Sequence, residues 1–221
     1  MTNWVFGVSS DFSQNMIANL DGETLEFGRH NFSYHPSDIK DWITSLEKLE
    51  TPTNVIFNIN VGDVDELPYP MHDNDTAEQF KTFNKWWADN RNQLFFKTYI
   101  INYLITHRNF KSVRDQQVCF ITSQISADHD PKWAGLQLYK SLRAIDYEII
   151  WNIRNRDITA YGICPGNNSR PMDWSEYIAK QINTQLLGKE EWLYGIAEQP
   201  DKHLDMVKYY HYDPTEFGRL K

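Results

Sequence analysis

Short apolar runs that alternate with longer segments of helical spacing constrain this chain more than any other feature. "NWVFGV" (3–8), "TLEFG" (24–28), "NVIFNINVG" (54–62), "QVCFITS" (117–123) and "ITAYGICPG" (158–166) read as strands. Between them lie helical patterns: "NMIANL", "HPSDIKDWITSLEKL" with Ser37 as its expected N-cap, residues 77–107, residues 136–154, and "DWSEYIAKQINTQLL" (173–187). "HNFSY" (30–34) alternates apolar and polar residues and reads as a further strand. Strands whose runs are apolar throughout belong in a parallel sheet covered on both faces. The expectation is an α/β fold: a doubly wound, Rossmann-like parallel sheet in three α/β/α layers, as a single domain. That domain is expected over residues 1–200, with 201–221 as a C-terminal tail that is aromatic but unpatterned.

Composition narrows the function classes. A net charge of −8 opposes nonspecific nucleic-acid binding, although Arg29, Arg154, Arg156 or Arg170 each offers a local anion site. The two cysteines, Cys119 and Cys164, sit in apolar runs, which favours a reducing compartment and core positions over a disulfide or a nucleophile. No run approaches the roughly 18 apolar residues of a membrane span. With no basic leader before the first strand, the expectation is a cytoplasmic protein that binds neither membrane nor nucleic acid. "HDND" (72–75) lacks the later glycine and glutamate of a calcium loop, and "DHDP" (128–131) reads as a turn, so no metal site is expected.

An open parallel sheet places its ligand crevice at the C-terminal ends of its strands. The segments at those ends are "FGVSSDFS" (6–13), "FGRH" (27–30), "FNINVG" (57–62), "ITSQ" (121–124) and "CPG" (164–166). Together with "DNRNQLFFKT" (89–98) and "YKSLRA" (139–144), and in this order, they resemble the short-chain dehydrogenase/reductase family over roughly residues 3–195. The resemblance implies catalytic positions at Asn90, Ser123 and Lys140, and cofactor-binding positions at Gly7, Ser9, Ser10, Arg29, Asn58, Pro165 and Gly166. Arg29 stands where family members that prefer NADP often carry an arginine.

Three departures bear on function. In the family a tyrosine that donates the proton lies thirteen residues after the serine and four before the lysine. Here that position is Leu136, which can exchange no proton. Tyr139 is the nearby substitute, about 60° away around the helix. Second, Asp11 and Ser13 replace the second and third glycines of the cofactor turn. Side chains there are expected to obstruct the pyrophosphate, and Asp11 is expected to cap the helix and fill the anion site itself. Third, only about thirty residues separate Arg29 from the "NINVG" strand, fewer than the family's helix, strand and helix need, which shortens the adenosine wall.

These losses point to a degenerate family member that acts by binding or assembly, with no cofactor, or NADP if any. Two readings stay open beside it. One is an NADP-dependent reductase using Tyr139 or water as proton donor. The other is a non-redox enzyme using Ser123 and Lys140. The resemblance also implies a homo-oligomer through helices 77–107 and 136–154, and leaves room for a small-molecule ligand.

Overall fold

The computed structural model describes residues 1–59, 76–108, 110, 116–121, 146, 148–150, 152–153, 158–165, 171–184, 194–197 and 208–209. In chain order the elements are β1 (Thr2–Phe6), α1 (Asp11–Ala18), β2 (Glu23–Phe27), a 3-10 turn (Pro36–Asp38), α2 (Ile39–Glu47), β3 (Asn54–Phe57), α3 (Thr76–His107), β4 (Gln117–Ile121), β5 (Thr159–Pro165), α4 (Pro171–Thr184), β6 (Tyr194–Ala197) and β7 (Lys208–Tyr209). Residues 146, 148–150 and 152–153 are also helical. The strands form one sheet in the order β2-β1-β3-β4-β5-β6-β7. All neighbours run parallel except β7, which is antiparallel to β6. Helices cover both faces, so this is the expected doubly wound, three-layer α/β/α architecture.

The two faces carry different cores because side chains alternate along each strand. Trp4, Phe6, Val55, Phe57, Val118 and Phe120 pack under α2, α3 and the helical residues 150 and 153. Val5, Ile56, Cys119, Ile121, Tyr161 and Ile163 pack under α1 and α4. On the first face Phe27, Phe6, Phe57 and Phe120 are mutual register partners on four adjacent strands. Their rings stack at 4.6, 5.2 and 5.2 Å. Such aromatic pairs contribute about 0.5–1.5 kcal/mol each beyond burial.

The second face carries a polar counterpart at the opposite, N-terminal ends of the strands. The Asn3 amide donates to Thr24 Oγ1 at 3.2 Å and to the Asp21 carbonyl at 3.0 Å. Asn54 Nδ2 donates to Asn3 Oδ1 at 2.6 Å, and Gln117 Nε2 donates to Asn54 Oδ1 at 2.8 Å. Tyr161 closes the row by donating to Gln117 Oε1 at 3.0 Å. Asn3, Asn54, Gln117 and Tyr161 are all buried; Thr24, Asn3, Asn54 and Gln117 are register partners on four strands, and Tyr161 reaches Gln117 from two residues further along β5.

Three local expectations are corrected. "HNFSY" forms no strand: Phe32 turns into the aromatic core, and Asn31 takes the outer edge groups of β2 that a neighbouring strand would need. Ser37 is not the cap of α2; His35 caps the preceding 3-10 turn, its Nδ1 accepting from the Ser37 N–H at 3.3 Å. The last strands, β6 and β7, arise where no strand is expected, and Lys208–Tyr209 joins the sheet through β6.

Candidate functional site

The sheet order places the topological switch point between β1 and β3, because α1 leads outward to β2 while β3 lies on the other side. Gly7 and Asn58 meet there, one residue beyond the paired ends Phe6 and Phe57. Gly7 has φ +91°, and a Cβ on it would lie 2.3 Å from the Asn58 carbonyl oxygen. Only glycine permits that backbone shape and that approach.

The turn from Gly7 into α1 is tied by its own side chains. Ser10, with extended backbone, is the N-cap, and its Oγ accepts from the Ser13 N–H at 3.2 Å. Ser13 Oγ donates to the Gly7 carbonyl at 2.9 Å and lies 2.7 Å from Ser10 Oγ. Asn58 Nδ2 donates to the same Ser13 hydroxyl at 2.7 Å and to the Gly7 carbonyl at 3.2 Å. Asn58 Oδ1 is buried and has no partner among the described residues.

Two expectations for this turn change. Asp11 is not the cap; it is the first helical residue and is exposed, because Ser10 precedes it in the capping position. Ser13 does not stand in the path of a pyrophosphate. It is 1% exposed and fills the helix–strand contact that a third glycine would leave open. Any obstruction from outside therefore falls to Asp11, whose carboxylate sits where the helix N-terminus otherwise favours an anion.

The end of β2 is built by the segment that follows it. The Tyr34 hydroxyl accepts from the Gly7 N–H at 3.1 Å and donates to the Phe27 carbonyl at 2.8 Å. Burial pushes this phenol up to about 12, against the opposing hydrogen bond from Gly7 and the charge of Arg29. Asn31 Nδ2 donates to the Glu26 carbonyl and Asn31 Oδ1 accepts from the Gly28 N–H, both at 2.8 Å. Residues 28–53 contain the 3-10 turn and α2 and no strand, so the sheet ends at β2. The shortened wall expected from chain length is present as this missing outer strand.

The structure thus brings Gly7, Ser10 and Asn58 together, with Ser9 and Arg29 exposed at the rim. Pro165 ends β5, which β4 separates from β3 and its Asn58, and lies opposite Ala197. Asn90 lies within α3, and its side chain is outside the described residues, as are Ser123, Tyr139, Lys140 and Gly166. Arg154, Arg156, Arg170 and the 72–75 and 128–131 segments also fall outside them. Among the described residues no group of three or more His, Cys, Asp or Glu side chains is placed to hold a metal ion. None of the described helices is long and apolar enough to cross a membrane.

Sequence reasoning misses Tyr34 and one buried ion pair. Lys97 Nζ lies 3.1 Å from both carboxylate oxygens of Asp146, with both side chains almost wholly buried. Burial pushes the Asp146 carboxyl up, against the pull of the Lys97 ammonium. The pair bridges α3 to the helical residues around 146 and lies 5.7 Å from the Phe120 ring centroid. A signal exists: residues 93, 97, 100 and 104 form one buried stripe, which places a lysine among inward positions.

No family model matches the chain, and no curated protein does. Solved structures match over most of its length. A 4-hydroxyisoleucine dehydrogenase complexed with NADH and succinate superposes with a TM-score of 0.63 at 16% identity, covering 89% of this chain and 97% of the other. A short-chain dehydrogenase/reductase from Serratia marcescens gives a TM-score of 0.60 at 12% identity over 89% and 96%. A 3-oxoacyl-[acyl-carrier protein] reductase from Brucella melitensis in complex with NAD gives 0.59 at 11% over 90% and 95%. At these identities the likeness establishes the fold: the chain has the fold of the short-chain dehydrogenases/reductases.

Proposed function

We propose that this chain is a degenerate short-chain dehydrogenase/reductase that has lost its redox role and acts as a binding or assembly protein. The observation that carries this reading is the closed turn. Ser10, Ser13, the Gly7 carbonyl and Asn58 Nδ2 satisfy one another, while the Gly7 N–H is shared by the Phe27 carbonyl and the Tyr34 hydroxyl. A dinucleotide fits such a turn poorly. The exposed Asp11 opposes the pyrophosphate's charge, and the sheet lacks the strand beyond β2. Leu136, at the position of the family's proton donor, agrees with the same loss. The assembly reading draws on α3, whose Trp87 and Phe95 are 48% and 42% exposed. Beside it an open groove of about 220 Å³ is lined by Thr98, Ile101, Ile105 and Ile149. A homo-oligomer contact through residues 77–107 and the segment 136–154 is part of this reading.

The second reading, an NADP-dependent reductase using Tyr139 or water as proton donor, draws on the bound NADH and NAD of two similar structures. Calorimetric titration with NADPH and NADH separates the two. No saturable binding up to millimolar cofactor is expected, and micromolar binding with turnover of a carbonyl substrate would overturn the first reading. Light scattering on the same samples is expected to give a dimer or larger. A monomer mass at micromolar concentration removes the assembly part.

A further inference from the structure

In a doubly wound sheet the pyrophosphate lies at the first helix N-terminus, and the adjoining ribose is read by groups at the end of the second strand. We infer that Tyr34 is a built-in occupant of that ribose corner, an internal plug that bars adenosine nucleotides from this fold. The inference deepens the loss of cofactor binding proposed above and rests on it.

The hydroxyl lies against the ends of β1 and β2, beside the 2.9 Å bond from the Gly7 N–H to the Phe27 carbonyl, accepting from that N–H at 3.1 Å and donating to that carbonyl at 2.8 Å. One oxygen that both accepts and donates there offers the hydrogen-bonding functions of a sugar hydroxyl. The ring is held from behind, 4.8 Å from Phe96 and 6.2 Å from Phe32. The backbone on either side is pinned as well. Asn31 clasps Glu26 and Gly28 along the edge of β2, and the Ser33 carbonyl accepts from Trp42 Nε1. Asn31 thereby stands in for the pairing of the missing outer strand. A ligand hydroxyl would have to displace a tethered group, which competes at high effective concentration.

The test uses ADP-ribose as probe, followed by calorimetry on the full chain with folding checked by circular dichroism. Tyr34→Ala empties the corner. Tyr34→Leu keeps apolar bulk against Phe96 without reaching the strand ends, should the alanine variant fail to fold. Wild type is expected to show no saturable binding at millimolar probe, and the folded variant a gain of at least about tenfold, since an occluded site taxes apparent affinity by its closed fraction. A folded variant with no gain overturns the inference and leaves the loss of cofactor binding standing. Wild-type binding as tight as the variant's overturns the inference. Wild-type binding of NADPH itself overturns the reading beneath it.

Discussion

Two polar clusters lie on the same face of the sheet at opposite ends of its strands, and they differ in completeness. At the strand starts, Thr24, Asn3, Asn54, Gln117 and Tyr161 form a closed row, with further bonds to the Asp21 and Ile182 carbonyls. At the strand ends, the Gly7–Ser10–Ser13–Asn58 cluster is as tightly bonded but leaves Asn58 Oδ1 buried and, among the described residues, unpartnered. The first is a register device: each amide specifies its neighbour across a strand pair. The second has the position of a ligand site and the bonding of a structural core. A crevice that retains its location but spends its donors internally supports the proposed loss of cofactor.

The comparison sharpens first at the strand starts. Asn54→Leu leaves the buried Asn3 Oδ1 without its partner and takes one of two acceptors from the buried Gln117 Nε2, which keeps the Ile182 carbonyl. One stranded acceptor and one further lost hydrogen bond predict a loss of about 3 kcal/mol in denaturant unfolding. A loss under about 1 kcal/mol would show that the row is incidental. Gly7→Ala at the other end meets both a positive φ of 91° and a backbone oxygen at 2.3 Å. The expected loss is about 3 kcal/mol. A smaller cost would mean that β1 and β3 separate easily at the crevice.

The smallest effect is a pH dependence that isolates Tyr34. Its hydroxyl is held at about 12 by burial, against 10.0 for a free phenol. The folded state therefore keeps the proton more tightly than the unfolded chain. This contribution to stability is complete below pH 10 and is lost as pH rises toward 12. Comparing denaturant midpoints of wild type and Tyr34→Phe across that window should show the steeper fall in wild type. Parallel curves would mean that the hydroxyl is not held at the strand ends. Tyr103 and Tyr161 are also pushed upward by burial, which makes the difference between the two proteins the readout.

Local periodicity carried the strands and the long helix, and chain length carried the missing outer wall. Runs such as "NVIF" and "QVCFI" are buried throughout, so their composition already states that both faces are covered. α3 runs for thirty-two residues, and its buried positions 93, 97, 100 and 104 keep helical spacing. β6 and β7, of four and two residues, are too short to show a period. "HNFSY" misleads because a period-2 pattern also fits a loop that drops one aromatic, Phe32, into the core and leads Tyr34 to the strand ends. What makes a strand is a partner, and Asn31 has taken the available edge.

The candidate site divides in the same way. The sequence by itself placed Gly7, Asp11, Ser13 and Leu136 at the positions where the resemblance implies a cofactor turn and a proton donor. Only the tertiary structure decided that Ser13 turns inward to Asn58, that Ser10 rather than Asp11 caps α1, and that Tyr34 reaches the ends of β1 and β2. The physical reason is range. Periodicity and spacing record what each residue needs from its immediate chain. A hydroxyl's partners are fixed by segments brought together from far along the chain, here residues 7, 27, 34 and 58.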